Sequence, residues 1–210
     1  MFHKETIEPS TLELLKSLQS ISILKDFHLA GGTALAMQIG HRKSIDLDLF
    51  TQHDFDSNTL LEYLEDSFQF ALNFSSTHTL KGSIANVNVD FITHKYPFVK
   101  SPIVKDGVTF YSIEDIAAMK LNAITGNGTR SKDFIDIYFI LKQYSIEDIL
   151  SFYKTKYASR NQLQVLKSLI YFDDISIHDF PKMLIEKKLS LDKVKNVISS
   201  HIQNYSENLL

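Results

Sequence analysis

Cysteine and tryptophan are absent from the chain, proline occurs only four times and glycine seven. Without cysteine there are no disulfides and no thiolate metal sites, so any bound metal must be held by oxygen or imidazole. That favours a hard cation, Mg²⁺ or Mn²⁺. The eight histidines include no His-x-x-x-His spacing, which argues against a zinc hydrolase, and Gly82-Ser83 lacks the flanking pattern of a nucleophile elbow, which argues against a serine hydrolase. No stretch approaches the roughly 18 apolar residues that a membrane span needs. The start of the chain, Met-Phe-His-Lys-Glu, is charged rather than apolar, so a cytoplasmic, membrane-free protein is expected. A strong charge of one sign is also missing: the net charge of −3 excludes a wholly basic nucleic-acid binder.

What is present is enough apolar material for a core, 44% of 210 residues, in one large domain or two small ones. Charge is unevenly spread. Residues 1–110 carry 9 Lys/Arg against 13 Asp/Glu, and residues 111–210 carry 13 against 12, giving −4 and +1. Between Ile149 and Phe172 there is no acid, while Lys154, Lys156, Arg160 and Lys167 add positive charge. This stretch is either a solvated helix face or a surface for phosphate backbone.

The pattern of elements divides the chain at about residue 111. Leu12, Leu15, Leu18 and Ile21 have helical spacing, predicting a helix over 10–25 capped by Ser10 or Thr11. A short strand at Phe27–Ala30 leads into Gly31-Gly32 and a helix from Thr33, whose Ala/Leu/Met content suits one. Residues 45–50, Ile-Asp-Leu-Asp-Leu-Phe, alternate as a strand does, with Leu47 and Leu49 facing the core. A helix over 57–68, a strand over 69–77, a turn at Gly82 and a strand over 84–93 follow. Pro97 and Pro102 bracket an irregular segment before a short strand at 108–111. From Ser112 onward the reading is helical, with helices over 132–143, 146–157, 160–171, 181–188 and 191–205. The words at 112–116 and 145–149 are both Ser-Ile-Glu-Asp-Ile, and each has the form of a capping-box variant. The chain thus reads as an α+β domain over 1–111 and an all-helical domain over 112–210.

The chemistry concentrates in Asp46-Leu47-Asp48. On a strand these carboxylates share a face, with Cα atoms roughly 6.5 Å apart at about 3.3 Å per residue. Two like charges that close call for a cation, and hard divalent cations bridge carboxylate oxygens and substrate phosphates. Alone, two solvated acids on a strand would look the same. Gly31-Gly32, whose second glycine lies fourteen residues before Asp46, lets a phosphate approach backbone N–H groups at a helix N-terminus, and Thr33 offers a hydroxyl. Asp90, on another alternating strand, suits a general base or a third metal ligand. His41 is either a ligand or a helix-terminal histidine meeting carbonyls.

Residues 31–50, Gly-Gly-Thr-Ala-Leu-Ala-x-x-x-Gly-His-Arg-x-Ser-x-Asp-Leu-Asp-Leu-Phe, resemble the first motif of the AbiEii/AbiGii toxin family. That family lies among the polymerase-β-like nucleotidyltransferases and is related to the MenT toxins. The resemblance continues through Asn88-Val89-Asp90, the run from Lys120 to Asp136, Tyr171–Asp174 and Pro181–Leu184, and so covers nearly the whole chain. It implies a mixed-sheet nucleotidyltransferase core whose nucleotide cleft is completed by the helical part. The implied reaction moves a nucleoside monophosphate from an NTP to an acceptor hydroxyl; acceptors in the family include the 3′ end of tRNA. It further implies a toxin of a toxin–antitoxin or phage-defence system with a cognate antitoxin protein.

On this resemblance Asp46 and Asp48 hold Mg²⁺ or Mn²⁺ and Asp90 completes the acidic set. Gly31, Gly32 and Thr33 cradle the triphosphate, while Ser44 contacts phosphate or fixes the loop and Arg42 neutralises charge. Lys120, Asp133 and Asp136 belong to the nucleotide site. From spacing alone, Lys120 either points inward or snorkels to the surface, and Asp136 pairs with Lys132 one turn away. The glycine-containing link 125–130 reads as a lid or a hinge, with Arg130 within reach of a triphosphate. Two other readings remain: the same acids acting on a small molecule or a protein hydroxyl, and a non-catalytic nucleotide-binding regulatory partner.

Overall fold

A computed structural model describes residues 3–158 and 160–208. It separates into two compact units: the chain up to Pro97 with Ser101–Tyr111, and Ser112 onward with Phe98–Lys100.

The first unit is built on a mixed seven-stranded sheet. Its strands are β1 (His28–Ala30), β2 (Leu47–Thr51), β3 (Ala71–Ser76), β4 (Thr79–Ile84), β5 (Val87–Thr93), β6 (Ile103–Lys105) and β7 (Val108–Phe110). They lie in the order β3-β4-β5-β2-β1-β7-β6. The centre is a parallel β2–β5 pair, flanked by antiparallel β1 on one side and β4 on the other. Alternation sorts the strands as the sequence suggests. Leu47, Leu49, Val89, Phe91 and Leu80 are buried, joined by Leu15 and Leu18 from α1 (Pro9–Gln19) and by Leu60 and Leu64 from α3 (Ser57–Phe68). Between β1 and β2 lies α2 (Gly31–Ile39), whose Ala34, Leu35, Ala36 and Met37 are all buried.

Several boundaries differ from the expectation for identifiable reasons. Helix α1 is capped at Glu8 with Pro9 in its first turn, so Ser10 and Thr11 lie inside it; proline's fixed φ suits that first turn. The strand expected from Ile45 starts at Leu47, which leaves Asp46 in the preceding loop. Gly82 is not a turn but lies within β4; the turn falls at Ala85 and Asn86, both at positive φ. Glycine suits that strand position because a Cβ there would stand 2.4 Å from the Ala71 carbonyl oxygen on β3. The segment between Pro97 and Pro102 is followed by strand β6.

The second unit is helical: α4 (Ile113–Gly126), α5 (Ser131–Ile140), α6 (Ile146–Lys156), α7 (Gln162–Leu169) and α8 (Leu191–Glu207). Helix α4 packs against α5, α6 and α7, and α5 packs against α8. Every α5 residue except Lys132 is buried, as expected of a helix enclosed by others. Residues 181–188, expected to be a helix, have no helical run. Glu186 there stands at φ 49 and its carboxylate is claimed by side chains of two helices, which holds the segment in an irregular path.

The twin Ser-Ile-Glu-Asp-Ile words have different fates. At Ser145 the capping box closes, with Asp148 reaching back to the Ser145 N–H. At Ser112 the serine caps the Asp115 N–H, but the Asp115 carboxylate instead accepts from the backbone N–H groups of Val99 and Lys100 and from Lys156.

Candidate active site

Asp48, the second residue of β2, is directly opposite Ala30 of β1 and Asp90 of β5. Asp90 is in turn opposite Lys81 of β4. Cross-strand partners share a sheet face, so one row across four strands reads Lys81, Asp90, Asp48, Ala30. Asp46 precedes the strand. Its Oδ1 accepts from Asn88 Nδ2 at 3.0 Å, and Asn88 and Asp90 alternate onto the same face. The chain therefore brings all three predicted acids to one face of the sheet.

Helix α2 begins against this face. Gly31 has φ 66, and a Cβ placed on it would stand 2.1 Å from Asp48 Oδ2. Gly32 is as close to another functional candidate: its Cβ would stand 2.2 Å from Arg42 Nη2. The two glycines thus make room for a carboxylate and a guanidinium at the start of a helix whose first turn has no side-chain cap. First-turn N–H groups at the positive end of a helix dipole form a natural anion seat.

Thr33 is 1% exposed. Its hydroxyl lies 2.8 Å from Ser44 Oγ and also against the Asp46 carbonyl oxygen. One hydroxyl has one proton, and a carbonyl can only accept. Thr33 therefore donates to Asp46 and accepts from Ser44. The side chain fixes the loop that carries the first acid. The same loop is anchored by the Ser44 N–H donating to the Thr6 carbonyl at 2.9 Å. Arg42 is 3% exposed and donates from Nη1 to the Lys43 carbonyl. His41 is fully buried beyond the left-handed Gly40 that ends α2.

Among the described residues, no three aspartate, glutamate or histidine side chains converge closely enough to share one metal ion. The donor chemistry nevertheless fits a hard divalent cation: carboxylates alone, with Asp48 in a cradle that a Cβ at Gly31 would fill. Asp90 is engaged elsewhere, its Oδ2 accepting from Lys81 Nζ at 2.7 Å. Lys81 is not singled out by the sequence, and Asn88 only as part of the Asn88-Val89-Asp90 motif. The assignment of a turn to Gly82 hid β4, and with it the register that sets Lys81 opposite Asp90.

In the helical unit, Lys120 does not snorkel. It is 7% exposed and bonds to both Asp133 Oδ1, at 2.6 Å, and Asp136 Oδ2, at 2.7 Å. Asp136 is thus paired across two helices with Lys120. Asp133 Oδ2 is buried without a hydrogen-bond partner and has Arg130 Nε at 3.9 Å. The 125–130 link is pinned on one side by the Ser176 N–H donating to the Thr129 carbonyl at 2.8 Å.

Of the four cations in the acid-free stretch, Lys156 is withdrawn from any surface role. It is 1% exposed and bonds Asp115 at 2.7 Å, and burial pushes its ammonium below the usual lysine range against the opposing pull of Asp115. Lys154, Arg160 and Lys167 are exposed. No described helix is long and apolar enough to cross a membrane.

The family model described as "Nucleotidyl transferase AbiEii toxin, Type IV TA system" matches residues 13–197. Uncharacterized protein aq_aa25 of Aquifex aeolicus (strain VF5) is 32% identical over 168 residues, covering 77% of this chain and 81% of its own. Among solved structures, a candidate nucleotidyltransferase from H. pylori has a similar fold, with a TM-score of 0.55 at 19% identity, covering 97% of this chain and 99% of its own. JHP933 from Helicobacter pylori aligns with a TM-score of 0.48 at 18% identity over 97% of each chain.

Proposed function

We propose a reaction for a chain that belongs to the AbiEii family of nucleotidyltransferase toxins: transfer of a nucleoside monophosphate from an NTP to a hydroxyl of RNA, such as a tRNA 3′ end. The acceptor oxygen bonds the α-phosphorus, the α–β bridging bond breaks, and pyrophosphate leaves with the bridging oxygen. The observation that carries this reading is the seating of Asp48 against Gly31, at the start of an uncapped helix and in register with Asp90.

The residues divide the work. Asp46 and Asp48 would hold Mg²⁺ or Mn²⁺, which when bound supplies charge neutralisation and polarisation at the phosphate. The backbone N–H groups of Gly31, Gly32 and Thr33 bind triphosphate oxygens, and Arg42 beside Gly32 adds positive charge. Ser44 and the Thr33 hydroxyl hold the loop so that Asp46 keeps its place. Asp90 accepts the proton of the attacking hydroxyl. Lys120, Asp133 and Asp136 serve the nucleotide, with the two acids holding the ammonium in one orientation.

The biological role that fits is the toxin of a toxin–antitoxin or phage-defence pair, neutralised by a cognate antitoxin protein. Incubation with Mg²⁺, each labelled NTP and total cellular RNA, beside an Asp46→Ala/Asp48→Ala control, tests the reaction. Label is expected on RNA with one NTP and none with the control. Label on protein or on a small molecule would move the acceptor; label on nothing would favour a non-catalytic nucleotide binder and overturn the reading. Label persisting in the control would overturn the site.

A further inference from the structure

We propose that the cavity between the end of α4, the link that follows it and α7 seats an unpaired base of the RNA acceptor, with Tyr171 as its stacking surface and Lys167 on the adjoining phosphate. The proposal rests on RNA being the acceptor in the reaction proposed above, and it names where the helical unit holds the strand.

Four of the lining residues, Gln164, Lys167 and Ser168 on α7 and Tyr171 just past its end, have the i, i+3, i+4, i+7 spacing of one helix face. Val165 and Leu169, on another face of α7, are fully buried, so the helix packs by its apolar side and turns this stripe to the cavity. The facing wall runs from Ile124 to Thr129 and is fixed by backbone bonds. The Asn127 N–H donates to the Ala123 carbonyl at 2.8 Å, and the Thr129 carbonyl accepts from the Ser176 N–H at 2.8 Å. The space between is about 480 Å³, within the range of small-ligand sites, about 300–1,000 Å³.

Gly126, the last residue of α4, lines the cavity although nothing in the fold requires glycine there. A Cβ on it would meet no atom within 4 Å, and its φ is not positive. Glycine weakens a helix relative to alanine; what its missing side chain preserves here is open space. Tyr171 is 52% exposed, and its ring has no aromatic or cationic partner among the described residues. An exposed ring on the wall of a polar cavity is a surface on which an unpaired base stacks.

The charges select the ligand. Lys167 is exposed and has no ion pair among the described residues. Asp174 also lines the cavity, and its charge holds the Tyr171 phenol above the ordinary tyrosine range. One cation beside one acid leaves the charge of a triphosphate unanswered. A strand presents a single charge per nucleotide, next to a base whose amino group can donate to a carboxylate. From Leu150 to Phe172 the chain carries no acid, so α7 meets a phosphate backbone without repulsion from its own residues.

The test is binding of the purified full chain to a fluorescein-labelled, single-stranded cytidine decamer, read by anisotropy, beside the labelling assay with total RNA. Tyr171→Ala is expected to weaken binding about tenfold, as the loss of one stacked base does, and Tyr171→Phe to bind as wild type does. Lys167→Gln should flatten the slope of log affinity against log salt by about 0.7, the value for one phosphate of a single strand. Gly126→Leu fills the cavity without changing charge and should weaken binding about tenfold as well. In the labelling assay Tyr171→Ala, Lys167→Gln and Gly126→Leu should each raise the KM for RNA and leave that for the NTP unchanged. If all three bind the decamer and use RNA as wild type does, or if they raise the KM for the NTP alone, the cavity does not hold the acceptor and the proposal falls while the RNA reading stands. If wild type transfers label to no RNA, that reading falls and takes this proposal with it. Thermal unfolding of each variant separates loss of binding from loss of fold.

Discussion

Gly31 and Asp48 are seventeen residues apart in sequence, yet a single methyl group added to Gly31 would lie 2.1 Å from the Asp48 carboxylate. The glycine is required twice, for its φ of 66 and for the acid it admits. Gly31→Ala is therefore expected to cost about 1–3 kcal/mol in backbone strain alone and to abolish transfer by displacing Asp48. Chemical denaturation and the labelling assay check the two effects; a variant with wild-type stability and activity would mean that Asp48 is not seated there.

The Thr33 hydroxyl holds the Asp46 loop rather than the core. Thr33→Val keeps the shape and removes the hydroxyl that joins the Asp46 carbonyl to Ser44, which is expected to cost about 1–3 kcal/mol and to lower turnover. Thr33→Ser restores the donor. If Ser fails to rescue what Val loses, the methyl group and not the hydroxyl is what the site needs.

Lys120 lies among two buried carboxylates, so Lys120→Met is expected to destabilise the helical unit by about 3–5 kcal/mol, the cost of breaking a buried ion pair from one side. Neutralising the acids as well, in Lys120→Met/Asp133→Asn/Asp136→Asn, should recover most of that stability. Thermal unfolding reports the recovery. Transfer activity that returns with stability would make the cluster purely structural; activity that stays lost assigns it to the reaction.

Glu186 holds the irregular 181–188 segment through Lys142, Lys193 and the Tyr138 hydroxyl. The hydrogen bonds from Lys142 and then Lys193 lower its pKa from 4.5 to about 2. A carboxylate with a depressed folded-state pKa stabilises the fold above its unfolded pKa, and that stability is lost as pH falls through the folded value. Part of the acid-induced loss of stability between about pH 4.5 and pH 2 is thus expected to come from Glu186. Glu186→Gln should be less stable at neutral pH and flatter across that window in urea-unfolding series. Equal slopes for the two proteins would show that the lysines do not hold this carboxylate.

The chain by itself determined the parts whose physics is local. Period-two alternation set Leu47 and Leu49 against Asp48, Ser145 and Asp148 closed their predicted box, and the 57–68 helix has the expected ends because Asp56 caps it through the Thr59 N–H. The motif at 31–50 placed Gly-Gly and the acids in one site because a single helix connects them. Only the tertiary structure decided what depends on neighbours remote in sequence. Gly82 reads as a turn until β3 is beside it, and then it is a strand residue without room for a side chain. Lys81 gains meaning from a register, Lys156 leaves the basic surface because Asp115 is buried with it, and Lys120 turns inward because α5 brings it two acids. A side chain's charge is written in the sequence; which charge answers it is set by packing, where the cost of burying an unpaired ion selects the partner.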